Sequence, residues 1–190
     1  MANTNVAFGF KPLKEAGSGV HSGGLSMYYH PSSDGTALYI GDPVIKNSSA
    51  DGAGIPGCIR ATAGAAITGI VQGFVPDGVV DIAGYGAAST AYYVLVDDDP
   101  DHAFEVQEDS VGGALAVTDI GLNADFIVAA GNAYTKRSGV MLDTSTKATT
   151  ATLPLKIIGL VPRPNNDIGA TAKVIVKINV HTEAQASAGI

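Results

Sequence analysis

Thirteen residues, "DDDPDHAFEVQED" from Asp97 to Asp109, carry seven carboxylates. Oxygen ligands at that density are the kind that hold Ca²⁺. The spacing lacks the Gly at position six and the Glu at position twelve of an EF-hand loop. Pro100 fits a sharp turn between two strands, so the reading is a solvated acidic turn with no metal. The four histidines, His21, His30, His102 and His181, are scattered. On a strand, His102 and Glu105 fall on opposite faces. The one cysteine, Cys58, excludes an internal disulfide. It reads as a small buried hydrophobe, with no base nearby in sequence to make it a nucleophile. No "GxSxG" supports a serine hydrolase. "GAGIPG" and "GYGAAS" do not join a strand to a capped helix, which argues against a phosphate cradle. The expectation is no catalytic residue and no cofactor.

The elements that would have to position any site are strands. Short apolar or alternating runs fall at 25–30, 37–46, 67–74, 79–82, 91–96, 103–107, 115–117, 125–129, 139–142, 155–161 and 172–180. The first two flank "HPSSDG" and read as a hairpin. "AKVIVKINV" alternates most regularly, and "DTSTKATTAT" reads as a loop. No window combines helical periodicity with caps. Small and β-branched residues are abundant, Gly numbers 24 and Trp is absent, a composition suited to pleated sheets and tight turns. The fold class is all-β: a single barrel or sandwich domain. Residues 1–24 read as an extended N-terminal arm, 25–182 as the body, and 183–190 as a loose tail.

Net charge is −7, unevenly spread. Eleven acids and no base lie between Arg60 and Lys136, whereas the last 55 residues hold seven bases and three acids. Such segregation suggests complementary patches between copies or toward a partner. No basic stripe with interleaved aromatics points to nucleic acid. No membrane span and no signal peptide are evident, so the expected product is soluble and intracellular. Residues 61–96 carry only Asp77 and Asp81 as charges, which suits a barrel core or a subunit contact. In the arm, Phe8, Phe10 and Leu13 are the large apolar groups. Burying them would yield roughly 1.5–3 kcal/mol each, opposed by roughly 1–2 kcal/mol per ordered residue. They are the candidate partner-binding residues, needing backbone pairing or a groove on a neighbour.

"MANTNVAFGFKPLKEAGSG", "YYHPSSDGTALYIGDPV", "YYVLVDDDPDHAFEVQED" with "TDIGLNADF", and "LKIIGLVPRPNNDIGATAKVIVKINVH" together resemble head cement, or decoration, proteins of tailed bacteriophages. The resemblance spans most of the chain and rests on structural patterns. It implies a β-barrel or jelly-roll-like body and homotrimers bound to the major capsid protein. They would sit on the outer surface of the virion shell after synthesis in the host cytoplasm. Rival readings are a carbohydrate-binding β-sandwich for host adhesion, disfavoured by few aromatics, and a head–tail connector or tail protein.

Overall fold

A computed structural model describes residues 3–15, 23–76 and 84–184. Eleven strands run in chain order: β1 Lys11–Glu15, β2 Ser26–His30, β3 Pro43–Ala50, β4 Pro56–Arg60, β5 Gly69–Phe74, β6 Tyr92–Asp97, β7 His102–Gln107, β8 Asn123–Ile127, β9 Met141–Ala148, β10 Leu155–Leu160 and β11 Lys173–Ile178. Among the described residues the one helical element is a 3₁₀ turn, Val117–Asp119. The chain is all-β, as its composition and periodicity dictate.

The strands form two bodies. A five-stranded barrel closes in the order β2-β4-β3-β5-β6, and a six-stranded sheet runs β1-β7-β11-β10-β8-β9. The turn after β6 carries the chain from barrel to sheet. The sheet curls until Glu108, just past β7, bridges Leu142 of β9. Alternation sets the barrel interior: Tyr92, Val94 and Val96 of β6 point in, together with Tyr28, Val44, Cys58 and Val71. A second core lies between barrel and sheet, built on Phe104, Phe126, Leu142, Ile157 and Val176. β5 is the shared wall. Ile70 faces the second core and Val71 the barrel interior, which explains why "AITGIV", Thr68 aside, is apolar without alternation.

Several local expectations change. The runs at 25–30 and 37–46 do not form a hairpin. β2 pairs with β6 and β4, and β3 pairs with β4 and β5. Gly41, with φ +93°, and Pro43 turn the chain away from β2, and Gly41 N–H donates to Val71 O at 2.8 Å. The Thr/Ser-rich loop expected after residue 142 is mostly strand β9. Its polar side chains are used there: Thr144 Oγ1 donates to Asp109 Oδ1 at 2.9 Å and Thr146 Oγ1 accepts from Asp125 N–H at 2.8 Å. The strand expected at 115–117 enters the 3₁₀ turn, where Asp119 Oδ2 accepts Ala116 N–H at 2.8 Å. The run at 79–82 lies outside the described residues.

The largest change concerns the N-terminal segment. Residues 3–15 belong to the body. β1 pairs antiparallel with β7, Lys11 opposite Glu105 and Pro12 opposite Phe104. Pro12 and the bulge beside it suit an edge strand, which can spare an N–H. Asn3 accepts from Asp167 N–H at 2.9 Å and donates to Asp167 O at 2.8 Å. Val6 N–H donates to Gln107 Oε1 at 2.8 Å. Phe10 is only 1% exposed and meets Phe104 and Phe126 edge-on, both at 6.4 Å. The backbone pairing that the apolar arm residues require is supplied by the chain itself. Residues 16–22 of the expected arm, and 185–190 of the expected tail, lie outside the described residues.

Gly9 makes that approach possible. Its φ is +72°, and a Cβ there would meet Ser138 Cβ at 2.5 Å and Gly41 O at 2.6 Å. Phe10→Ala should therefore lose about 3–5 kcal/mol of stability, and Gly9→Ala at least about 1 kcal/mol. Urea unfolding of both variants reads these values. A loss below about 1 kcal/mol for Phe10→Ala would place the ring outside the cooperative core.

Candidate functional site: side-chain clusters and exposed surfaces

The acidic run is taken apart by the fold. Asp97 accepts from His102 Nδ1 at 2.6 Å. Asp98 accepts from Ser26 Oγ and Tyr28 Oη, both at 2.9 Å. Asp99 Oδ1 accepts Asp101 N–H at 2.8 Å, and Asp101 pairs with Lys177 at 2.6 Å. Glu105, 1% exposed, pairs with Arg163 at 2.5 Å. Glu108 accepts from Ser110 Oγ at 2.8 Å, and Asp109 holds Thr144. Among the described residues no three metal-ligating side chains converge.

The same contacts redirect the charge pattern. β11 lies beside β7, so bases late in the chain reach acids of its middle: Lys177 to Asp101, Arg163 to Glu105, and Lys147 to Asp119 at 2.6 Å. The complementarity expected between copies is in these pairs satisfied within one chain. Burial pushes the Asp119 carboxyl up, and the hydrogen bonds from Lys147 and Ala116 N–H outweigh it, leaving it below the usual carboxylate range.

Inside the barrel, His30, Cys58 and Tyr92 lie together. His30 stacks on Tyr92 at 4.6 Å, and its Nδ1–H donates to the Cys58 carbonyl at 3.2 Å. That bond fixes the tautomer and engages the Cys58 backbone rather than its sulfur. Burial pushes the Cys58 thiol up to about 12, so it stays protonated and unreactive near neutrality. Burial holds His30 below its usual range, although Asp34 at 3.9 Å opposes this. The cluster is a packed polar core with no access from solvent.

The exposed features are surfaces. Met27 lies opposite Leu95 and Tyr29 opposite Tyr93 across β2 and β6, on the barrel's outside. The Tyr29 and Tyr93 rings are 5.8 Å apart, and Met27 is 42% exposed. With Leu25 they form an outward apolar ladder. A second feature is the turn after Asn132. Asn132 Oδ1 accepts Tyr134 N–H at 2.8 Å and Thr135 N–H at 3.1 Å. This ordered turn presents Tyr134 at 94% exposure. Beside it, Tyr39 stacks on Tyr85 at 4.9 Å and Lys136 Nζ lies 5.1 Å from the Tyr85 ring centre.

The three residues singled out in the sequence are separated. Phe10 is in the core, while Phe8 and Leu13 are half-buried. Phe8 lines a cleft of about 240 Å³ with Lys11, Glu105, Arg137 and Arg163. Sequence reading missed the apolar ladder because its residues come from strands that sit far apart in the chain. Tyr134 was missed because its exposure depends on the Asn132 turn. No helix among the described residues is long and apolar enough to cross a membrane. Comparison with protein-family models, curated proteins and solved structures finds no match.

Asp42 supplies a pH signature for the junction of barrel and sheet. It is fully buried, and burial raises its carboxyl to about 6, with Ser138, the Tyr39 N–H and Arg60 opposing. A carboxyl raised in the fold destabilises it when ionised. Stability from this group is therefore gained as pH falls from about 6 toward the unfolded value of 3.8 and is absent above that window. The stability of Asp42→Asn relative to wild type should be more favourable at pH 7 than at pH 4 by on the order of 2 kcal/mol. Parallel denaturation curves at the two pH values measure it. A pH-independent difference would mean that Asp42 titrates normally.

Proposed function

We propose that the chain is a non-enzymatic structural protein of a tailed-phage virion, binding the outer surface of the major capsid shell and bridging neighbouring capsid subunits. The resemblance of its sequence to head cement proteins suggests the partner. The observation that carries a binding role is the outward ladder of Met27, Leu95, Tyr29 and Tyr93 on a closed barrel. Such a ladder, with Met27 exposed and Leu95, Tyr29 and Tyr93 half-buried on a rigid frame, suits a protein contact. Many weak copies would act together, so no single contact need be strong. Self-association into a homotrimer belongs to the same reading, since closed symmetry lets one patch serve every copy.

A second reading has its own observation. Tyr134, presented on an ordered turn beside the Tyr39–Tyr85 stack, offers aromatic surface of the kind that packs on sugar rings. It would make the protein a host-adhesion module.

Met27→Glu tests the first reading without entering a core. The variant should keep its melting temperature and lose at least about tenfold in affinity for purified heads, equivalent to about 1.4 kcal/mol. Sedimentation with heads and density on the shell measure binding. If wild-type protein ignores heads and binds a glycan array through Tyr134, the adhesion reading replaces the capsid one. Undiminished head binding by Met27→Glu would remove the ladder from the contact.

A further inference from the structure

We infer that the cleft beside Phe8 is a binding site for a carboxylate-rich segment of another polypeptide. The inference does not rest on the capsid reading. Lys11, Arg137 and Arg163 line the cleft against one carboxylate, Glu105, a surplus of two positive charges on a chain of net −7. Glu105 is buried and committed: it accepts from Arg163 Nη2 and stands opposite Lys11 in the β1–β7 register. It fixes one edge of the Arg163 guanidinium, which is 41% exposed at its side chain and keeps further donors for a ligand. Among the described residues, the side chains of Lys11 and Arg137 have no ion-pair or hydrogen-bond partner. They are held on an ordered edge strand and a braced turn, where Asn132 N–H donates to Arg137 O at 2.9 Å.

Shape selects a chain over a lone ion. Phe8 and Arg163 also line a second cleft of about 250 Å³, with Thr4, Val6 and Lys173. The two are therefore contiguous along the docked N-terminal segment. Each has room for several waters at about 30 Å³ apiece, and thus for a side chain. Phe8 provides an apolar wall between them. Guanidinium forks match carboxylates bidentately. The occupant is not a second copy, because the densest acidic run of this chain is engaged internally by His102, Tyr28, Lys177, Arg163 and Thr144.

The test uses a fluorescein-labelled hexaglutamate peptide and full-length protein at about 20 mM salt, where screening is weak. Anisotropy should show saturable binding. Lys11→Gln with Arg137→Gln should weaken it at least about tenfold. The charge-matched control, Lys46→Gln with Lys156→Gln, should stay within about twofold, a difference of about 0.4 kcal/mol. If the double variant melts early, Lys11→Glu alone, on the exposed edge, carries the comparison. Equal loss in the control would reduce the effect to net charge and overturn the site. Displacement by inorganic phosphate at concentrations where acetate is inert would reassign it to phosphate. A wild-type dimer abolished by the Lys11/Arg137 pair of substitutions would make the occupant a second copy.

Discussion

The insertion of Phe10 between Phe104 and Phe126 is the contact on which the rest of the architecture depends. It draws the N-terminal segment into the core shared by barrel and sheet. Phe10 N–H then donates to Gly41 O at 2.9 Å, and Gly41 N–H to Val71 O. One ring thus fixes an edge strand, the Gly41 turn and the barrel wall β5. The geometry holds because Gly9 and Gly41 approach without side chains. A segment that would be too short to fold alone gains order from both bodies at once, which offsets the entropy of its backbone.

Charge is the second organising constraint. The chain looks electrically polar when read linearly, yet strand order mixes its ends with its middle. The pairs formed in this way differ in weight. Lys177–Asp101 is solvent-screened and contributes little. Glu105 is buried, so Arg163 is needed to avoid an unpaired internal carboxylate. The acids between Asp97 and Asp109 therefore serve mainly to orient side chains and close turns, as with Ser26 and Tyr28 on Asp98.

The β class was legible because period-2 alternation is local, and β6, β7, β10 and β11 fall where their side-chain patterns predict. Partnering was less legible. The hairpin expected around "HPSSDG" fails because backbone φ at Gly41 and the Pro43 ring send β3 elsewhere, and β2 closes on β6 instead. β4 was missed: "PGCIR" is short and carries Pro and Gly, and it is a strand only because β3 lies alongside. β9 was read only at its start, 141–142, because the hydroxyls that follow look like loop composition until Asp109 and Asp125 are brought to them. At the candidate surfaces, Phe8 stood out in the sequence as a large apolar side chain, but its cationic neighbours did not, since Lys11, Arg137 and Arg163 lie far apart in the chain and come together only in the fold.

The barrel is unevenly sealed. β2 joins β6 through five paired residues but joins β4 through one parallel pair, Tyr29 with Gly57. Cys58, the next residue along β4, is fully buried. A closed ring of hydrogen bonds with joins this unequal does not resist thermal motion equally around its circumference. It parts first where the fewest bonds must break. The thiol beside that join is thereby a natural gauge: it meets a sulfhydryl reagent only during such a parting, so its labelling at saturating reagent reports how often the barrel breathes, and at low reagent how much of it stands open.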